Sequence, residues 1–260
     1  MLLSMATIDP ALMEFVDAAS AGVHTVLDCA DRLVGPSDSD SHLHAVALHA
    51  TITELLSGCV VLALHEHPTG IPILLRSMYE ALVDLDNLLH VSGYLEHIEA
   101  ANLAQLVKLL EAATINPILR GINERHGARL DEFRGRFGQL KEAGRRPLSI
   151  ESRCQTAGRL AEYQGLYRIF SLDAHSNSAA LGDRHVSESP DGTPQVSFFG
   201  VMDPRITAGR LDHGLRFLVD SARMIHEAFQ TNSREISDLA ERFPQERLGR
   251  LKRVGIALTI

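Results

Sequence analysis

IPILLRSMYEALVDLDNLL, residues 71–89, reads as a helix buried over most of its surface. Arg76, Glu80, Asp84 and Asn87 fall at i, i+4, i+8 and i+11, one polar stripe on an otherwise apolar cylinder. Such a helix needs neighbours to cover it. An arginine and two acids enclosed among apolar groups also need close partners.

Working outward, HPTG (67–70) breaks a second helix that runs from about 41 to 66, and Thr69 is placed to cap the third. Asp9-Pro10 is an N-cap followed by proline at the first helical position, opening a first helix to about Val34. On the other side, SGY (92–94) starts a fourth helix that reaches about Thr114. Asn116-Pro117 begins a glycine-interrupted amphipathic stretch, and a short helix near 149–157 precedes a long one from about Arg159 to His175. The period then changes. HVSESPDGTPQVSFFGV (185–201) alternates around Pro190-Asp191-Gly192, the signature of a β-hairpin. Asp203-Pro204 caps a last long helix to about Thr231. The expected fold is all-α, a bundle of long up-down helices with a small hairpin insertion. Residues 1–231 read as a single helical domain, and 232–260 as a short helix with a basic amphipathic tail.

Composition narrows the function classes. The 260 residues carry a net charge of −8, so no global field draws the chain to DNA or other nucleic acid or to an anionic membrane, and a polyanion would need a local basic patch. With no Trp and only 5% aromatic residues, a stacking platform for single strands is not indicated. The three cysteines, Cys29, Cys59 and Cys154, are far apart and form no C-x-x-C pair, which fits a reducing compartment. LLSGCVVLAL (55–64) is half the length of a spanning helix, and MLLSMATIDP lacks the basic region of a signal peptide. The expectation is a cytoplasmic protein. HEHPT (65–69) lacks the second histidine of a zinc-protease helix, and no Gly-rich phosphate cradle is present. No metal or cofactor is expected.

A second polar face lies in YRIFSLDAH (167–175). Tyr167, Ser171 and His175 fall at i, i+4 and i+8, with Arg168 close to the same face. The economical arrangement packs this face against the Arg76/Glu80/Asp84 stripe, with Glu80 orienting Arg168 or His175 and the Tyr167 hydroxyl completing the network. Two readings stand: a buried network that fixes helix register, or a site at a cleft or subunit seam.

LLRSMYEA (74–81) followed by YRIFSLDAH (167–175) resembles, in order and separation, the bacterial uncharacterised-domain family numbered 5677. That family is similar to the HEPN group of helical-bundle proteins, many of them metal-independent ribonucleases marked by Arg, four to six residues, then His. Arg168 and His175 fit this spacing. The resemblance implies an endoribonuclease, in phage defence or as a toxin, formed as a homodimer with RNA as substrate. His175 would then handle the proton of the attacking 2′-hydroxyl or of the leaving oxygen. Arg168 would stabilise charge on the phosphate, and Tyr167, Ser171, Arg76, Glu80 and Asp84 would support them. The residue after the arginine, often polar in active members, is Ile169 here. The alternative is a non-catalytic helical module whose polar network is structural or binds a small ligand or protein partner.

Overall fold

The computed structural model describes residues 8–33, 39–174, 178–196 and 202–256. Asp9 accepts from the backbone N–H of Ala11 and Leu12 and Pro10 takes the first position, so α1 runs Pro10–Asp28. α2 (Asp40–Leu64) and α3 (Ile71–His90) follow, the latter entered through a 3₁₀ turn at Pro68–Gly70 rather than through a Thr69 cap. After residues 90–158, a short α8 (Leu160–Glu162) passes into a π-helical turn (Tyr163–Tyr167) and then α9 (Arg168–Ala174). The expected long helix over 159–175 is therefore interrupted by one widened turn. α10 (Ser178–His185), which the sequence reading did not place, leads into β1 (Val186–Glu188), antiparallel to β2 (Pro194–Val196). The hairpin falls where alternation placed it, and its expected end at 197–201 lies outside the described residues.

α11 (Pro204–Ala228) is capped by Asp203, whose carboxylate accepts from Arg205 N–H. In place of a short helix and tail, α12 spans Arg234–Arg253, 20 residues with Pro244 inside it. It buries Phe243 and Leu251, and Arg253 pairs with Glu14 of α1.

Two compact units result. The first comprises residues 1–89 with 159–260, the second 90–158. In the first, α1 packs on α11, α2 and α12, and α2 and α12 also pack on α11. Gly214 lets the helices close. A Cβ there would stand 2.8 Å from Leu56 of α2 and 3.1 Å from Leu75 of α3. Leu75, Met78, Tyr79 and Leu82 of α3 are fully buried, as the apolar circumference of 71–89 requires. α2 is long and apolar enough to cross a membrane by length and composition, yet Ile52, Leu56 and Cys59 are sealed in this core. In the second unit, α4 (Tyr94–Ile115) packs on α5 (Arg120–His126) and α6 (Leu130–Glu142) around Ala100, Leu103 and Leu140, with α7 (Ile150–Thr156) following.

Candidate functional site

The two polar faces read from the sequence meet in the first unit. Tyr167, 6% exposed, closes the π-helical turn and reaches the third turn of α3. Its hydroxyl donates to Glu80 Oε1 at 2.9 Å, and Arg76 Nε donates to both the Tyr167 hydroxyl (3.1 Å) and Glu80 Oε1 (3.2 Å). The Arg76 guanidinium also lies over the Tyr167 ring, 5.2 Å from its centroid. Burial raises the Tyr167 pKa, and the Glu80 carboxylate it bonds raises it further, so the phenol stays protonated. Asp84 is half-buried further along the stripe, and Asn87 is buried, donating to Val83 O.

Glu80 thus holds Tyr167. Arg168 turns the other way: it is exposed, with its guanidinium 5.7 Å from the centre of the Tyr163 ring. The π turn explains the pairing. Its i→i+5 hydrogen bonding puts more residues in the turn and brings positions five apart over one another, which an α-helix does not. Tyr163 and Tyr167 stack at 5.3 Å, and the aromatic contacts continue to Tyr79 of α3 (5.9 Å from Tyr167) and on to Phe217 of α11. Phe170 meets Phe217 and His213 edge-on. Arg168 therefore stands on a turn pinned to α3 and α11. Ser171 Oγ is buried without a hydrogen-bond partner among the described residues. Ile169 is 56% exposed. His175 lies outside the described residues.

The sequence reading missed a second network. Arg159 Nε donates to Asp86 at 2.7 Å and its Nη1 to Glu162 at 3.1 Å, while Glu162 also pairs with Arg216, and Arg216 with Asp220 at 3.7 Å. The Tyr79 hydroxyl donates to the Arg159 carbonyl. Burial raises the Asp220 pKa, and Arg216 and Arg159 only partly offset it. These five charged groups fasten α8 to α3 and α11 just before the π turn. Only Asp86, seven residues after Tyr79 on one face, carried a spacing signal; the others are distant in sequence.

Such pinning gives a preorganised cation on a rigid element, which suits binding an anion in fixed register. Among the described residues no three His, Cys, Asp or Glu side chains gather as a metal site.

Residues 42–193, more than half the chain and spanning α2 through the start of the hairpin, match a family described as being of unknown function (DUF5677). The protein belongs to that family. No characterised protein and no solved structure matches it.

Proposed function

Within a family of unknown function the assignment rests on the site, and we propose that this protein is a HEPN-like, metal-independent endoribonuclease. The observation that carries this reading is the presentation of Arg168. A solvent-facing guanidinium follows directly on a π-helical turn whose last residue, Tyr167, is locked by Arg76 and Glu80. π turns cluster at functional sites, where they re-aim side chains at the cost of helix regularity.

In this mechanism Arg168 binds the scissile phosphate and offsets the charge that builds on its oxygens as the 2′-hydroxyl attacks. His175 removes the hydroxyl proton or returns a proton to the departing 5′-oxygen. Tyr167, Arg76 and Glu80 touch no substrate; they hold the turn. A homodimer in the cytoplasm, each copy bringing one such site to the seam, completes the proposal. The resemblance of the sequence to the HEPN group and the Arg168–His175 spacing support it.

A second reading is favoured by the closure of the Arg76–Glu80–Tyr167 lock: the polar groups serve as a structural clasp and the protein acts by binding a partner. Cleavage of end-labelled tRNA and total RNA in EDTA separates the two. The nuclease reading predicts EDTA-resistant cleavage that His175→Ala abolishes at unchanged melting temperature. No cleavage by the wild type, with His175→Ala markedly destabilised, would favour the clasp.

A further inference from the structure

At one end of the first unit, α2, the end of α1 and the α11–α12 turn meet around two buried imidazoles. His49 on α2 is 3% exposed and His226 on α11 is 5% exposed. Each is bonded through Nδ1: His49 to Ser221 Oγ at 3.0 Å, and His226 to Thr231 Oγ1 at 2.5 Å. The Nε2 atom of each is buried and without a hydrogen-bond partner among the described residues.

The bonding decides the tautomers. Ser221 gives its only hydroxyl hydrogen to the Leu218 carbonyl at 2.9 Å, so toward His49 it can only accept. His49 Nδ1 therefore carries the proton, and its Nε2 is a bare acceptor. The Thr231 hydroxyl has no acceptor other than His226 Nδ1 among the described residues, and donation there, with the ring hydrogen on His226 Nε2, is the tautomer that satisfies it. Both rings stand at the α2–α11 contact: His49 bonds Ser221, five residues before His226 on α11, and His42, seven residues before His49 on α2, stacks on Phe229. A single water accepting from one and donating to the other satisfies both.

The turn these rings support is strained and tied at several points. Gln230 and Asn232 both take left-handed backbone (φ 51°), which costs energy in a non-glycine residue. The His42 ring of α2 stacks on Phe229 at 3.8 Å. Ser233 accepts from Arg32 at 2.8 Å and lies 3.4 Å from Cys29 Sγ, and Arg32 grips Glu235 at 2.5 and 2.8 Å. The charged or titratable groups around the pair are Cys29 and Arg32 just after α1, His42 from α2, Arg223 and Glu227 from α11, and Glu235 and Glu241 from α12.

We propose that His49, His226 and a water bridging their Nε2 atoms form an acid-operated latch between α2 and the α11–α12 turn. While both rings are neutral the bridge closes and holds residues 229–233. A proton on His49 Nε2 turns the acceptor into a second donor, and the bridge fails. A proton on His226 Nδ1 displaces the Thr231 hydroxyl from its acceptor, and Arg32 stands near the new charge. Both effects open the turn.

The direction follows from linkage. Burial, reinforced by His226, lowers the His49 pKa to about 4, and burial with Arg32 lowers that of His226. An opened turn restores a solvated imidazole, so the open form binds protons more readily and acid favours it. For His49 alone, a pKa near 4 closed against about 6.5 open gives roughly a thirtyfold rise in opening at pH 5 over pH 7.5.

Nitrogen-detected NMR of the histidine rings at pH 7.5 should show His49 protonated on Nδ1 and His226 on Nε2. Amide exchange at Gln230 and Thr231, corrected for intrinsic rates, should report that thirtyfold rise, with α1 amides showing no such step. The double variant His49→Gln/His226→Gln, which keeps an acceptor and donor in place without titrating, should flatten the step. The opposite tautomers, a step shared equally by α1, or a step persisting in the variant would each overturn the latch. If the variant does not fold, the wild-type tautomers and exchange decide alone.

Discussion

Tyr167 is the residue on which the site turns. Its hydroxyl bridges α3 to the π turn, bonding both members of the Arg76–Glu80 pair. Tyr167→Phe keeps the ring contacts with Tyr79 and Tyr163 and removes only that bridge. A hydrogen bond to a charged group contributes about 1.5–3 kcal/mol. Because Glu80 is 31% exposed, water replaces part of it, and the expected loss is about 1–2 kcal/mol in urea unfolding. A loss below about 0.3 kcal/mol would mean that ring packing alone holds the turn. Spacing put Arg76 with Glu80 on one face and Tyr167 with Ser171 on another, but it paired Glu80 with Arg168 or His175, whereas Glu80 bonds Tyr167. The aim of Arg168 was not legible in the sequence. Helical periodicity assumes 3.6 residues per turn, and the π turn shifts every later side chain by nearly a full position.

Among the elements, α12 departs furthest from its sequence signal. Pro244 and Gly249 both lie inside it, and 232–260 read only as a short helix with a tail. Yet the helix continues, held by Phe243 and Leu251 in the core, by Arg247 to the buried Asp212 at 2.7 Å, and by Arg253 to Glu14. Tertiary contacts override local propensity here. Pro244 is exposed and leaves the Ala240 carbonyl without its helical donor. Pro244→Ala should therefore stabilise the protein, by about 1–3 kcal/mol, read as a higher melting temperature. A lower one would show that the proline shapes α12 for a contact the chain needs. The first four helices, by contrast, were placed to within a few residues, α1 by its Asp9-Pro10 cap and the others by apolar periodicity and the breaks between them.

At the scale of the whole molecule, a single net charge conceals an uneven distribution. Residues 90–158 carry ten basic and eight acidic side chains, so the net charge of −8 arises wholly outside them. The division into two units was equally hidden, since no linker composition marks residue 89 or 159. What marks it is geometry. Asp86 and Arg159, on either side of the inserted unit, are joined at 2.7 Å, so the first unit closes without the second. Replacing residues 90–158 with a short Gly/Ser linker should leave a helical protein that unfolds cooperatively. Loss of cooperative unfolding in calorimetry would show that the first unit depends on the second.

The central claim is that Arg168, presented by a locked turn, acts on RNA phosphate, and one comparison tests it most directly. Single-turnover cleavage of end-labelled tRNA in EDTA would be measured for the wild type and for Arg168→Ala. Because Arg168 is exposed, with its guanidinium over the half-buried Tyr163 ring, the variant should melt within about 2 °C of the wild type and cleave about a hundredfold more slowly or worse. Equal cleavage by both proteins, or none by the wild type, would contradict the account.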